Sequence, residues 1–182
     1  RTRSNTKRPI QTVSGVSGTP FSYGSGHIRP NRAVDPGLVY DLTVHDYLDF
    51  LCSTGANEIQ VSNFANDGYK CKKIRLLNFN YPAITIPKLA RPVTVTRTVK
   101  NVGSPGTYTV KIIAPLGVTV NVTPKCLKFE KIGEEKTFKV TLKLRESYVI
   151  DKHVFGKLIW SDGVHYVRSP VVVMEGSKRL VN

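Results

Sequence analysis

From about residue 78 onward, apolar residues recur with a period of two, and this pattern limits the possible folds of the chain more than any other. Val93, Val95 and Val99 alternate with threonines, and over 138–144 apolar residues alternate with lysines and a threonine. Such alternation is typical of half-buried β-strands, because successive side chains of a strand point to opposite faces. The segments predicted to be strands are 83–86, 93–99, 108–113, 118–122, 138–144, 153–160 and 164–173.

Residues that favour turns separate these segments. Glycine or proline interrupts the pattern at 103–106, 115–117 and 132–133, and Asp162-Gly163 predicts a two-residue hairpin loop. Strands this short and this closely spaced predict a mainly β chain with a fibronectin III/immunoglobulin-like β-sandwich of about 100 residues. Trp160 and Tyr108 are the large residues expected to anchor its core.

The first 76 residues have a different character. Residues 1–19 are polar and have no hydrophobic period, and 21–28 is predicted to be a short strand rich in aromatic residues and glycine. A helix is predicted between Thr43 as N-cap and Gly55 as the residue that ends it. Its apolar stripe consists of Val44, Tyr47, Leu48, Leu51 and Cys52, and a shorter helix is predicted over 58–64. The sequence therefore predicts two units, 1–76 and 77–182.

The charge is strongly positive, with 27 basic and 13 acidic residues among 182 and a net charge of +14. Residues 77–182 carry 17 of the basic and 7 of the acidic residues, and Lys136, Lys139 and Lys143 occupy alternate or nearby positions of one segment. Such a pattern is typical of the solvated face of a strand. Zinc-ligand spacings, aromatic ribonucleoprotein motifs and basic helices are missing from the sequence, so a nucleic-acid partner is not expected. With no run of 18 apolar residues, a membrane span is not expected either.

The three cysteines form no C-x-x-C pair, so a thiolate metal site is not expected. Cys52 and Cys71 would close a loop of about 20 residues if oxidised, which the chain-entropy model values at roughly 3 kcal/mol. Because the count is odd, a reduced cytosolic protein remains an alternative. Cys126 lies in an alternating stretch, where a small buried thiol is expected. Asn121-Val122-Thr123 is a candidate glycosylation site, although Pro124 follows it directly.

Candidate catalytic residues are few. Each of the four histidines, at 27, 45, 153 and 165, is expected to be a surface or capping residue, since none has a metal-ligand spacing. Ser25, His27 and Asp35 lie within ten or so residues of one another, whereas members of a catalytic triad normally come from separate elements. The sequence contains no G-x-S-x-G elbow and only an incomplete glycine-rich phosphate motif. From its residues, this chain is predicted to hold no catalytic, cofactor or metal site.

Several long motifs, in order, resemble the C-terminal part of plant subtilisin-like serine proteases (subtilases). They are Thr19-Pro20-Phe21-Ser22-Tyr23-Gly24-Ser25-Gly26-His27-Ile28, Asp35-Pro36-Gly37-Leu38-Val39-Tyr40-Asp41 and Asp46-Tyr47-Leu48-x-Phe50-Leu51-Cys52. Thr96-Arg97-Thr98-Val99-Lys100-Asn101-Val102-Gly103 and Phe155-Gly156-x-Leu158-x-Trp160-Ser161-Asp162-Gly163 resemble the family's fibronectin type III-like domain. The resemblance covers essentially the whole chain.

This resemblance implies that 1–76 is the C-terminal remnant of an α/β subtilisin-like catalytic domain plus a helical connector. In that family the catalytic Asp, His and Ser lie upstream, so no residue here inherits a catalytic role. Because the chain starts at Arg1 and its one methionine is Met174, it is expected to be a fragment or a processed product. The resemblance also implies secretion to the cell wall space, which favours an oxidised Cys52–Cys71 pair and leaves Cys126 unpaired.

The partners implied are the catalytic domain of the parent protease and, through the parent, protein or peptide substrates. One alternative is a stand-alone β-sandwich that binds other proteins, because 122–141 is also similar to major-sperm-protein-like sandwiches. A second alternative is a cell-wall polyanion binder that uses the basic sandwich. The stretch 19–52 favours the protease, because an isolated interaction module has no need of it.

Overall fold

The computed structural model describes residues 2–4, 6–65, 68–146, 148, 150 and 152–174. Its N-terminal part contains four α-helices, one short strand and a 3₁₀ turn. In chain order these are α1 (Pro20–Tyr23), α2 (Pro30–Ala33), β1 (Leu38–Val39), α3 (Val44–Thr54), α4 (Glu58–Ser62) and the 3₁₀ turn Leu76–Asn78.

The remaining elements are all strands. They are β2 (Ile84–Ile86), β3 (Val93–Asn101), β4 (Gly106–Ile113), β5 (Val118–Thr123), β6 (Cys126–Phe129), β7 (Glu135–Leu144), β8 (Val154–Ser161) and β9 (Tyr166–Val173). One sheet has the order β1-β3-β7-β5 and the other β2-β9-β8-β4-β6. All pairs are antiparallel except β2 with β9. The predicted mainly β sandwich is confirmed.

The core lies between the two sheets. Trp160 and Tyr108 are both buried, as predicted, and the Trp160 ring meets Phe138 of the facing sheet edge to face at 5.1 Å. The buried apolar residues of β3, β5 and β7 thus pack against those of β4, β6, β8 and β9. Aromatic pairs of this geometry add about 0.5–1.5 kcal/mol beyond the area they bury.

Two polar residues occupy core positions of β3. Arg97 and Asn101 point inward with Val95 and Val99, because they share the same parity along the strand. The Arg97 guanidinium donates to four main-chain carbonyls, those of Leu77, Tyr81, Ala83 and Thr96, at 2.8–3.3 Å. Burial lowers the pKa of Arg97 to about 10, although Tyr40 acts to raise it. Arg97 therefore ties the 3₁₀ turn and the following loop to the sheet.

The connector helices begin where the sequence predicts. Thr43 caps α3 together with Asp46, and Gly55 ends the helix in a left-handed conformation. The predicted stripe is wrong in part, because Leu48 and Cys52 are buried while Val44, Tyr47 and Leu51 are exposed. The reason is that α3 packs against a small cluster formed with α4 and the segment around Tyr69 and Cys71, which covers less than the full stripe.

Three other local predictions are wrong. The segment 21–28 is not a strand: Thr19 and Ser22 form a capping box around Pro20, and a helical turn results. Cys126 is exposed and not buried, because Leu127 and Phe129 take the inward positions of β6, which sequence analysis did not separate from its neighbour. The hairpin loop has four residues, 162–165, since Ser161 pairs with Tyr166.

The predicted division at residue 76 remains a prediction. Leu38–Val39, which precede that position, pair with Asn101 and Lys100 at the edge of the sandwich. Leu38 is buried in the sandwich core. Residues on both sides of the predicted boundary therefore contribute to one hydrophobic core.

Candidate functional site at the junction of the N-terminal segment and the sandwich

A polar cluster joins residues 35–40 to the β8–β9 hairpin. The His165 ring lies between two carboxylates, with Nδ1 at 2.7 Å from Asp162 Oδ2 and Nε2 at 3.1 Å from Asp35 Oδ2. The contact with Asp35 is an ion-pair contact without hydrogen-bond alignment. The Tyr108 hydroxyl completes the cluster at 3.4 Å from Nδ1. His165 is thus a largely buried junction residue, and the prediction of a surface or capping role for it is wrong.

The hairpin loop builds its side of the cluster through Asp162. The Asp162 carboxylate accepts hydrogen bonds from the backbone N–H groups of Val164 and His165, at 2.9 and 2.6 Å. Burial acts to raise the pKa of Asp162, but the hydrogen bonds from the His165 ring and from these N–H groups outweigh it and lower the pKa to about 2. Asp162 therefore carries a negative charge at any physiological pH.

The charge of Asp162 and Asp35 acts on the neighbouring groups. The hydrogen bond to Asp162, followed by the contact with Asp35, raises the pKa of His165 above its ordinary value. Burial, followed by the charge of Asp162, raises the pKa of Tyr108. The cluster consequently favours a protonated His165 and a neutral Tyr108.

Gly37 allows the chain to pass close to this cluster. Its φ of +75° lies in the left-handed region, and a Cβ atom there would meet the Tyr108 hydroxyl and lie 2.7 Å from His165 Cγ. The Gly37 carbonyl accepts hydrogen bonds from Val102 and Gly103, at 2.9 and 3.3 Å. The segment Asp35-Pro36-Gly37 is therefore a point at which the N-terminal segment is held against the sandwich.

Three more contacts extend the junction along β9 and β8. The hydroxyls of Tyr40 and Ser169 are 2.6 Å apart, both in largely buried surroundings. Arg168 donates to the Ser25 carbonyl and, at 3.2 Å, to Thr2 Oγ1. The Phe21 ring packs edge to face against His153 and Phe155, at 4.9 and 5.7 Å. Residues far apart in sequence thus form one continuous interface.

The residues weighed as a catalytic triad do not come together as one. Ser25 accepts from Arg168 through its carbonyl, His27 is exposed, and Asp35 faces His165 instead. Both nitrogens of His165 face carboxylates, so the ring is not aimed at a hydroxyl or thiol nucleophile. Within the described part of the chain, no group of three or more His, Cys, Asp or Glu residues is arranged to hold a metal ion.

The residues predicted to be modified lie away from the junction. Cys52 at the end of α3 and Cys71 are joined in a disulfide, with Cα atoms 5.7 Å apart. Asn121 is exposed on β5, an edge strand, and its side-chain amide donates to Thr123 Oγ1 at 3.4 Å. In the ranges that the structure describes, no helix is both long and apolar enough to cross a membrane.

The described part of the chain has nine strands in two packed sheets, and an N-terminal segment contacts one edge of this sandwich. This is the architecture of a fibronectin-like domain with an attached extension. The model of the fibronectin type-III domain family matches residues 78–173. The chain belongs to this family.

The chain is also similar over most of its length to plant subtilisin-like proteases. Subtilisin-like protease SBT5.3 of Arabidopsis thaliana is 55% identical over 91% of this chain and 22% of its own length. SBT5.4 of the same plant is 52% identical over 97% and 23%, and protease Glyma18g48580 of Glycine max is 48% identical over 94% and 22%. The chain thus spans about a fifth of the length of these relatives, and the matches are those of a C-terminal subtilase region.

Proposed function

We propose that this chain is the C-terminal, non-catalytic portion of a secreted subtilisin-like serine endopeptidase. The observation that carries the proposal is the 55% identity to SBT5.3, which extends across the N-terminal segment as well as the sandwich. In this proposal residues 1–76 complete the catalytic domain and connect it to the sandwich of residues 77–182. The parent hydrolyses peptide bonds through an acyl-enzyme formed on a serine that a histidine activates. That serine and histidine lie outside this chain.

The junction supports a scaffolding role for the sandwich. Asp35, Tyr40 and Ser25 all contact side chains of the β8–β9 hairpin, so the hairpin holds the N-terminal segment at several separate points. A segment that forms the end of a catalytic domain would transmit this support to the rest of that domain. The sandwich would then act by limiting the domain's freedom to unfold locally.

Apolar side chains are exposed in the N-terminal segment, which supports the proposal that this surface is covered in the parent protease. They are Val13, Val16, Phe21, Ile28 and Val34. Several large apolar side chains exposed within one segment fit a surface that another part of the protein covers. We assign these residues to the contact with the body of the catalytic domain, which is the partner proposed here.

The Cys52–Cys71 pair and the candidate glycosylation site Asn121 both fit a secreted protein. Disulfides persist in oxidising compartments, so an oxidised Cys52–Cys71 pair fits the extracellular space of the cell wall. Asn121 would accept a glycan there, because its side chain points to solvent from an edge strand. A glycan at this position would also keep the open edge of β5 from pairing with another chain.

A chimera tests the scaffolding role. In it, the matching region of SBT5.3 is replaced by this chain, and secretion and peptidase activity are compared with intact SBT5.3 and with SBT5.3 that lacks the region. We expect the chimera to be secreted and active and the truncated protein to lose both properties. A truncated protein as active as the intact one would overturn the proposal.

A serine-directed fluorophosphonate probe tests the location of the chemistry. The purified 182-residue chain is expected to remain unlabelled under conditions that label the chimera at a serine upstream of the exchanged region. A labelled serine within the 182 residues would show that the active site has been misplaced.

A further inference from the structure

A cavity of about 520 Å³ lies beside the junction, and its lining is strongly basic. Its floor is the outer face of β8 and β9, where Ile159 lies opposite Arg168 in the strand register. The walls come from the N-terminal segment and are formed by Thr2, Arg3, His27, Arg29, Arg32 and Ala33. The cavity therefore exists only because the N-terminal segment is folded against the sandwich.

The described lining residues carry five permanent positive charges and no carboxylate. The charged residues are Arg3, Arg29, Arg32, Lys157 and Arg168. Arg168 is half-buried, and burial lowers its pKa. Its guanidinium donates to neutral acceptors, the Ser25 carbonyl and Thr2 Oγ1. A partly desolvated cation held by neutral oxygens gains more from an added anion than a solvated one does.

We propose that this cavity binds a carboxylated polysaccharide, a chain of uronate sugars. A guanidinium matches the planar carboxylate with two parallel N–H···O bonds, and four of the five cations are arginines. The Thr2 hydroxyl accepts from Arg168 and keeps its own proton to donate to a sugar hydroxyl. Ile159 offers an apolar patch to the ring carbons. The proposal does not depend on the proteolytic role of the parent.

The aromatic content of the cavity favours this ligand over a single-stranded nucleic acid. Sequence-tolerant binding of nucleic acids relies on aromatic faces that stack on successive bases. Tyr166 is the aromatic side chain on the floor, and Arg32 lies over its ring at 5.5 Å from the centroid. Its hydroxyl donates to the Gly163 carbonyl at 3.1 Å, which fixes the orientation of the ring. The face of Tyr166 on which a base could stack is therefore occupied by Arg32.

The test measures binding of the 182-residue chain to polygalacturonate at low ionic strength. The cavity variant is R29Q/R32Q/K157Q, and the matched control K125Q/K139Q/K143Q removes the same number of charges from exposed positions outside the cavity. We expect the cavity variant to bind about tenfold more weakly or worse, and the control to stay within about twofold of the wild type. Methyl-esterified polygalacturonate, which has the same backbone without charge, is expected not to bind.

Three results would overturn the proposal. Equal weakening in the two variants would mean that binding follows net charge and not the cavity. Absence of binding at low salt would remove the site altogether. Tighter binding of a DNA oligonucleotide or of phosphatidylserine vesicles, lost in the cavity variant but not in the control, would assign the cavity to another ligand class. Circular dichroism of both variants establishes that they are folded.

Discussion

Asp35 and His165 are 130 residues apart in the sequence, and their side chains meet at 3.1 Å between Oδ2 and Nε2. His165 reaches Asp162 with its other nitrogen, so one imidazole links the N-terminal segment to the β8–β9 loop. The link is strongest when the ring is protonated and both carboxylates are charged. Its contribution to stability must therefore depend on pH.

The pKa directions define the pH range of this dependence. The pKa of His165 is raised on folding, so its contribution is fully present below the unfolded value of about 6.5 and is lost as pH rises through the folded value. The pKa of Asp162 is lowered from 3.8 to about 2, so its contribution is present above 3.8 and is lost as pH falls towards 2. We expect the free energy of unfolding to be highest between about pH 4 and 6.5.

H165Q tests this expectation by urea denaturation at a series of pH values. The variant is expected to be less stable than the wild type at pH 5. Above pH 6.5 its free energy of unfolding should fall much less than that of the wild type. The matched control is H45Q, which changes an exposed histidine of α3 away from the junction. A wild-type profile that stays flat above pH 6.5 would contradict the assignment to His165.

Arg97 is expected to be more important for stability than any surface arginine. R97M keeps the apolar length of the side chain but leaves the four carbonyls without their donor, and a buried acceptor left unsatisfied costs about 1–3 kcal/mol. R97K keeps one charged donor, so it should be intermediate. Urea denaturation measures both, with R91M at an exposed position as control. Equal stability of R97M and R91M would show that the carbonyls find other donors.

Gly156 is expected to be intolerant of any side chain. A Cβ atom at this position would meet the Ile113 carbonyl and lie 2.6 Å from Pro115 Cδ, both of which are held by the β4 pairing and the loop after it. G156A should destabilise the sandwich by roughly 1–3 kcal/mol, the usual cost of overpacking. G106A in β4, where the nearest atom is 3.9 Å away, is expected to be near neutral by thermal denaturation. Comparable melting temperatures would refute the close approach.

The Cys52–Cys71 pair is expected to stabilise the connector. A loop of this length corresponds to about 3 kcal/mol in the chain-entropy model, so C52S/C71S should unfold at lower urea concentration. C126S changes an exposed cysteine and should leave the midpoint unchanged. Peptide mapping without reduction identifies the linkage. A cross-linked peptide that contains Cys126 would show that the pairing is wrong.

Much of the sandwich could be predicted from the alternation of apolar and polar residues. Along β7 the buried residues Phe138, Val140 and Leu142 are those that the period selects, because a strand with one face on the core must alternate. The pattern did not separate β6 from β5, since the two are joined by a short turn within one alternating stretch. The aromatic and glycine-rich composition of 21–28 suggested a strand there, where capping by Thr19 and Ser22 stabilises a helical turn instead.

Little of the junction could be predicted from the sequence. Arg97 could have been placed in the core by its parity with Val95 and Val99, but its charge argued for the solvated face. The role of His165 at the junction had no signal in the sequence, because Asp35 approaches it only after the N-terminal segment has folded back onto the hairpin, whereas Asp162 lies in the same loop. The basic cavity has the same origin, since its lining comes from both ends of the chain.

Local residue patterns were sufficient to identify the strand periodicity, the helix caps at Thr43 and Gly55 and the motifs that resemble subtilases, because each depends on residues that are close together in the chain. Packing in three dimensions established which charges are buried, which histidine joins two carboxylates and where the arginines converge. These properties depend on burial and on distances between remote segments. Local sequence carries no record of either quantity, so they emerge only when the two sheets and the N-terminal segment pack together.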